Sequence, residues 1–143
     1  MRFDCQIDIN SPIGKVVDIF LNPDNLKYVQ DGFKSKTLIR GAEGKKGAVS
    51  TLVYEKLELQ ETILINNLPK EFLGLYEHKY TTNTMRVSFE VLNDNTTRYH
   101  SEIDYTELKG FMVKIMATLF PGMFKKQVEK WMLKFKNFAE QVN

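Results

Sequence analysis

The sequence predicts an α+β fold, in which a curved antiparallel sheet of seven strands wraps around a long C-terminal helix. Three observations predict it. Apolar and polar residues alternate with a period of two over most of residues 33–105. Short clusters of turn-forming residues interrupt this region at regular intervals. A helical period with a broad aromatic stripe follows Gly110 and continues to the end of the chain.

The first segment, Arg2–Ile9, alternates strictly and predicts a strand with one buried face. Ser11 and Pro12 then predict a helix start, with serine as the N-cap and proline at the first helical position. Apolar residues at helical spacing follow as far as Leu21. Asn22-Pro23 ends this helix and starts a second short helix, so we expect two short helices after the first strand.

Six further strands are predicted between Phe33 and Tyr105. Because turn residues separate most of them, an antiparallel meander is expected. Glu55-Lys56 is the one junction without a strong turn signal, and Thr81-Thr82-Asn83 is interpreted as a turn. The predicted strands are Phe33–Arg40, Gly47–Tyr54, Leu57–Asn66, Glu71–Tyr80, Thr84–Leu92 and Thr97–Tyr105.

The C-terminal region contains two apolar stripes with Pro121-Gly122 between them. Proline inside a helix removes a hydrogen bond, so the sequence predicts either one bent helix or two helices in tandem. The lysines of the last helix include Lys126, Lys130 and Lys134 on one face. We interpret this face as solvated, and weak contact with an anionic membrane stays open as an alternative.

Composition narrows the function classes. The chain has 143 residues, 43% of them hydrophobic and 27% charged, which indicates one ordinary globular domain over residues 1–143. A net charge of +2 does not suggest a nucleic-acid partner, and no apolar run is long enough for stable membrane insertion. The single cysteine, Cys5, and the lack of an apolar signal segment favour a cytoplasmic location.

Two segments resemble the START-like superfamily, also called SRPBCC or the helix-grip fold. Residues 9–20, INSPIGKVVDIF, and 22–26, NPDNL, look like its opening from strand to helix. Residues 119–126, LFPGMFKK, are similar to the final helix of its cyclase/dehydratase-like branch. The resemblance covers nearly the whole chain. It implies a ligand cavity between the sheet and the long helix, but these motifs contain no catalytic residues.

The inward faces of the predicted strands and helix are mostly apolar with a few polar groups, as in small-molecule sites. The alternative is that the same residues fill a solid core. No metal and no cofactor are expected, because His78, His100 and Cys5 are scattered. The residues predicted to bind a ligand are Tyr54, Leu59, Glu61, Ile63, Tyr76, His78, Met85, Val87, Phe89, Tyr99, Ser101, Ile103, Met116, Phe120 and Phe124.

Glu61 is the most informative of these residues, because strict alternation places its carboxylate on an otherwise apolar strand face. Burying an unpaired carboxylate is costly, so we expect it to be protonated, paired or hydrogen-bonded. Such a group can serve as a general acid or base. The structural alternatives are a bulge that turns it to solvent and an ion pair with a nearby arginine.

Two functions remain open from the sequence. The first is binding or transport of an apolar or amphipathic small molecule, such as a lipid, an isoprenoid or a polyketide-like aromatic. The second is a cyclase- or dehydratase-type enzyme, with Glu61 and either Tyr76 or His78 as proton-transfer groups. A third hypothesis is an interaction domain that resembles chaperone activators, and no distinctive residue favours it. A monomer or a weak homodimer is expected.

Overall fold

The computed structural model describes residues 1–142; Asn143, the last residue of the predicted domain, lies outside the described residues. The strands are β1 Arg2–Ile9, β2 Phe33–Arg40, β3 Val49–Tyr54, β4 Glu58–Asn67, β5 Glu71–His78, β6 Thr81–Asn93 and β7 Thr96–Leu108. The helices are α1 Ile13–Leu21, α2 Leu26–Val29, α3 Phe111–Leu119 and α4 Gly122–Gln141, with a short 3-10 turn at Pro23–Asn25 between α1 and α2.

The seven strands form one antiparallel sheet in the order β1-β7-β6-β5-β4-β3-β2. Strands β2 to β7 are therefore a meander, and β1 joins its far edge by pairing with β7. The alternation of apolar and polar residues gives the sheet one apolar face, which must be covered to exclude water. Helix α4 covers that face. This architecture confirms the predicted α+β fold.

The solid part of the core lies at one end of the gap between sheet and helix. Phe20 of α1 contacts the rings of four other aromatic residues there. Val87 on β6 and Ile9 at the end of β1 are fully buried at the same end. The four rings around Phe20 are Phe72, Phe89, Tyr99 and Phe135, at centroid distances of 5.4, 5.5, 6.2 and 6.2 Å.

Two local predictions are wrong. Helix α1 begins at Ile13 with Pro12 in the cap position, and Ser11 does not cap it with its side chain. Ser11 is instead buried, and its carbonyl oxygen accepts a hydrogen bond from Thr97 Oγ1 at 2.8 Å. The predicted turn at residues 81–83 is the start of β6, because these residues pair with the end of β7; the turn falls at residues 79–80.

The break at Pro121 is confirmed as two helices in tandem. Helix α3 ends at Leu119, and α4 begins at Gly122 and runs for 20 residues. Pro121 has no backbone N–H group and cannot donate the hydrogen bond that would continue the helix, so the chain changes direction at this point. Helix α4 follows the sheet, whereas α3 contributes no buried residue.

Candidate functional site

A cavity of about 840 Å³ lies between the inward face of the sheet and α4, and the aromatic rings of the solid core border one side of it. Strands β2 to β7 form one wall and α4 forms the other. The segment from Ile19 to Gly32, which includes α2, closes one side. Most of the lining side chains are apolar, and the volume is in the range of small-molecule sites.

The sheet wall consists of two rows of side chains that cross neighbouring strands. Residues paired directly on adjacent antiparallel strands point to the same face, so the strand register defines each row. The apolar row is Ile63, Gly74, Met85 and Ile103. The polar row lies two residues away from the apolar row on every strand and consists of Glu61, Tyr76, Asn83 and Tyr105. All of these except Gly74 line the cavity.

The helix wall is formed by residues spaced three and four apart on α4. They lie on one face of the helix because that spacing completes about one turn. The ring of Trp131 stacks on Tyr54 of β3 at a centroid distance of 5.9 Å, and the Tyr54 hydroxyl donates to Gln30 Oε1 at 2.6 Å. The four residues of the helix wall are Phe124, Val128, Trp131 and Phe135.

Glu61 is buried, as the alternation of β4 predicts, and both of its carboxylate oxygens have partners. The Tyr76 hydroxyl donates to Glu61 Oε2 at 2.8 Å. Lys36 Nζ on β2 lies 3.1 Å from Glu61 Oε1 and 2.7 Å from Glu43 Oε1. The ion-pair partner is therefore a lysine and not the arginine considered from the sequence. Together these residues form a polar cluster on the cavity wall.

The pKa values around this cluster indicate a cationic lysine beside neutral phenols. Burial opposes the Lys36 ammonium, but the Glu61 and Glu43 carboxylates outweigh burial and raise the pKa of Lys36. Burial, and then the Glu61 carboxylate, raises the pKa of Tyr76 well above the usual value of tyrosine. The same two causes raise the pKa of Tyr54. At neutral pH both tyrosines are therefore hydrogen-bond donors.

Gly74 makes room for the Tyr76 ring. A Cβ atom placed on Gly74 would lie 2.7 Å from both Cε2 and the hydroxyl oxygen of Tyr76, closer than real side chains approach. The two residues are on the same strand face, so the ring leans over the glycine and its hydroxyl reaches Glu61. A glycine inside a strand commonly marks such a close approach.

His78, Ser101 and Trp131 also line the cavity, but the Ser101 Oγ and Trp131 Nε1 atoms are themselves buried. Burial, and then the charge of Lys79, lowers the pKa of His78, which favours a neutral ring at neutral pH. Its Nδ1 accepts a hydrogen bond from the Tyr80 backbone at 3.3 Å. Ser101 is fully buried, and its Oγ has no hydrogen-bond partner among residues 1–142. Trp131 Nε1 also has none in this part of the chain.

Eleven of the fifteen residues predicted to bind a ligand line the cavity. They are Tyr54, Leu59, Glu61, Ile63, Tyr76, His78, Met85, Tyr99, Ser101, Ile103 and Phe124. The other four lie elsewhere. Val87 and Phe89 are buried in the solid core, because α1 fills the gap at their end of β6. Met116 and Phe120 are exposed, because α3 does not continue along the sheet as α4 does.

Several lining residues are absent from the sequence prediction. Lys36 is the most important. A β-bulge between Phe33 and Ser35 shifts the alternation of β2, so that Lys36 is opposite Leu52 on the inward face. Asn83 lies in the segment interpreted as a turn. Trp131 belongs to the apolar stripe of α4, and its role as a cavity wall depends on packing that the stripe does not reveal.

Within the described residues, no three His, Cys, Asp or Glu side chains lie close enough together to hold a metal ion. Cys5 is buried on β1, and burial is the main cause that raises the pKa of its thiol. His100 lies on the outward face, 3.2 Å from Asp4 Oδ1. The polar groups that line the cavity include carboxylate, phenol, ammonium, imidazole and amide groups.

Comparison with known proteins identifies the fold. No family model and no curated protein matches the sequence. The aromatase/cyclase Zhui from a Streptomyces species has a TM-score of 0.82 at 6% identity, over 99% of this chain and 94% of that one. A START superfamily protein from Mycobacterium smegmatis has a TM-score of 0.77 at 11% identity, over 99% of both chains.

Norcoclaurine synthase from Thalictrum flavum is a third similar structure, with a TM-score of 0.70 at 10% identity over 99% of this chain and 87% of that one. Identities this low establish the fold alone. The chain has the START-like, helix-grip fold that its sequence resembles.

Proposed function

We propose that this protein binds an amphipathic small molecule in the cavity between the sheet and α4. The observation that carries the proposal is the cavity itself, about 840 Å³ with mostly apolar walls. Protein interiors are close-packed, and packing defects are far smaller than this volume. A lipid, an isoprenoid or a polyketide-like aromatic fits both the size and the apolar lining.

The polar groups of the cavity support a ligand that also carries oxygen or another hydrogen-bonding atom. Buried polar side chains nearly always have a hydrogen-bond partner, and leaving one unpaired costs about 1–3 kcal/mol. Asn83 and Tyr105 line the cavity, and the Asn83 amide and the Tyr105 hydroxyl can donate to a ligand acceptor such as a carbonyl or hydroxyl oxygen.

The comparisons support the same class of function. A START superfamily protein and an aromatase/cyclase have this fold over nearly the full length of the present chain. Both descriptions suggest a fold suited to enclosing an organic molecule. This likeness favours small-molecule binding over a purely structural role.

Binding of the fluorescent probe anilinonaphthalene sulfonate tests the proposal. Wild-type protein is expected to enhance its fluorescence at a single site, and a long-chain fatty acid is expected to displace it. Met85→Trp places a larger side chain in the cavity and is expected to weaken probe binding. Thr84→Trp adds the same side chain on the opposite face of β6 and is the matched control. Equal probe binding by both variants would contradict the proposal.

A second candidate function is catalysis of the cyclase or dehydratase type. The observation that favours it is the Glu61–Tyr76 hydrogen bond on the cavity wall, which links a carboxylate to a proton donor. Glu61 would act as the general acid or base. Its ion pair with Lys36 equally suits a structural role, so we place binding first.

The two candidates differ in what Glu61→Gln does. If Glu61 is catalytic, this variant loses turnover of a bound polyketide-like substrate while the substrate still binds, because glutamine keeps the size of the side chain. Tyr76→Phe then lowers turnover less, because it removes only the hydrogen bond to the carboxylate. Turnover that survives Glu61→Gln rules out the Glu61 mechanism and leaves binding as the function.

A further inference from the structure

Helix α3 presents an exposed apolar surface that no other part of the described chain covers. All of its residues except Lys114 and Thr118 are apolar, yet none is buried. Phe111, Met112 and Leu119 are 75%, 67% and 65% exposed. Met116 is also exposed, whereas Val113, Ile115 and Ala117 are half-buried. An isolated exposed apolar side chain is ordinary, but four large ones on one short helix mark an interaction site.

The surface continues from α3 into the first turn of α4. Phe120 is 60% exposed and Met123 is 42% exposed. Tyr80, 43% exposed, lies beside it, because the Lys109 backbone at the exit of β7 donates to the Tyr80 carbonyl. We call this region the α3 surface, defined by Phe111, Met112, Met116, Leu119, Phe120 and Met123.

The segment that carries the α3 surface contains only positive charges. Residues 109–128 contain four lysines and no aspartate or glutamate. Lys109 Nζ lies 3.7 Å from Glu107 Oε2 and forms an ion pair with it. The other three, Lys114, Lys125 and Lys126, are exposed and form no ion pair with any described residue. The complementary partner is therefore an apolar layer bordered by negative charge.

We infer that the α3 surface docks onto the headgroup region of a bilayer that contains anionic lipids. The aromatic and methionine side chains enter the boundary between headgroups and acyl chains, and the lysines contact lipid phosphates. None of the helices in residues 1–142 is long and apolar enough to cross a membrane, so the contact is peripheral. Met123 also lines the cavity, which places the docked face beside the proposed ligand site.

A second copy of this chain fits the α3 surface less well. A two-fold interface would bring the same patch of each copy together. Lys125 and Lys126 of one copy would then face the same lysines of the other copy around the contact, and like charges repel. An anionic bilayer supplies both the apolar layer and the opposite charge.

Co-sedimentation with lipid vesicles tests the inference. Wild-type protein is expected to pellet with vesicles of equal parts phosphatidylcholine and phosphatidylglycerol, and much less with phosphatidylcholine alone. High salt is expected to release it, because salt screens the lysine contacts. Phe111→Ser/Leu119→Ser and Lys125→Gln/Lys126→Gln are each expected to lower binding by about tenfold or more.

Val91→Ser and Lys70→Gln are the matched controls. Val91 is 55% exposed at the opposite end of the β6–β7 hairpin, and Lys70 is exposed at the opposite end of β5 from Tyr80. Both controls are expected to bind the mixed vesicles like wild type. Because the substituted residues of the α3 surface are exposed, every variant is expected to keep the wild-type circular dichroism spectrum.

Three results would overturn the inference. The first is no binding of wild type to the mixed vesicles. The second is an equal loss of binding in the control variants. The third is self-association without lipid, seen by sedimentation velocity and abolished by Phe111→Ser/Leu119→Ser, which would assign the surface to a second copy. Met85→Trp is expected to keep vesicle binding, so docking and cavity binding can fail separately.

Discussion

Replacing Lys36 with methionine tests whether the polar cluster is a buried ion pair. Lys36 and Glu61 side chains are 13% and 11% exposed, so little water reaches their contact. Lys36→Met keeps most of the length of the side chain but leaves the Glu61 carboxylate buried without its counter-ion. Breaking a buried pair in this way costs about 3–5 kcal/mol. We expect about 3 kcal/mol, because the Tyr76 hydroxyl still donates to the carboxylate.

The assay is urea unfolding followed by circular dichroism. Lys34→Met, an exposed position on the same strand, is the control and is expected to change the free energy of unfolding by less than about 0.5 kcal/mol. Lys36→Met/Glu61→Gln is expected to recover about half of the loss, because a neutral amide needs no counter-ion. A loss below about 1 kcal/mol for Lys36→Met would refute the reasoning, because exposed pairs contribute only that much.

Three further predictions concern residues around the cavity and in the core beside it. Gly74→Ala is expected to push the Tyr76 ring away from Glu61. A crystal structure of this variant should lack the 2.8 Å hydrogen bond from the Tyr76 hydroxyl to Glu61, and the variant should lose at least as much stability as Tyr76→Phe. Asp31 Oδ1 accepts a hydrogen bond from Lys134, and Asp31 Oδ2 lies 3.0 Å from Lys130 Nζ; these two lysines of α4 lower the pKa of Asp31 to about 2. The stabilisation from this lowered pKa is present above pH 3.8 and is lost as the pH falls through 2, so Asp31→Asn is expected to cost under about 1 kcal/mol at pH 7 and little at pH 2 in thermal unfolding. Phe20→Ala is expected to lower the free energy of unfolding in urea by about 3 kcal/mol, because it removes a ring from the aromatic centre of the core. A loss below about 1 kcal/mol would contradict this prediction and would mean that the neighbouring rings move into the space.

The strands that alternate without interruption were predictable from the sequence. The period of β4 places Glu61 inward. The period of β5 places Tyr76 and His78 on one face, but it does not decide which face is inward, because Leu73 and Leu75 make the other face apolar as well. Lys36 was not predictable by this rule, because the bulge after Phe33 reverses the faces of β2. A bulge depends on how two strands fit together, which the periodicity of one strand does not contain.

The turn before β6 and the position of α3 show a second limit. Thr81 and its neighbours resemble a turn by composition, but threonine also favours strands, and pairing with the long end of β7 decides between them. The apolar stripe of α3 looks like a core helix in the sequence. Only the change of direction at Pro121 separates α3 from α4, and an apolar stripe does not reveal whether it packs inside the protein or faces outward.

The central claim is that the space between the sheet and α4 is a ligand site. A crystal structure of the protein purified from its own host tests it most directly. We expect electron density for a bound organic molecule against the apolar row of the sheet, with a polar atom within hydrogen-bond distance of the Asn83 amide or the Tyr105 hydroxyl. A structure in which α4 packs directly onto Met85 and Ile103, with no space left between helix and sheet, would contradict it.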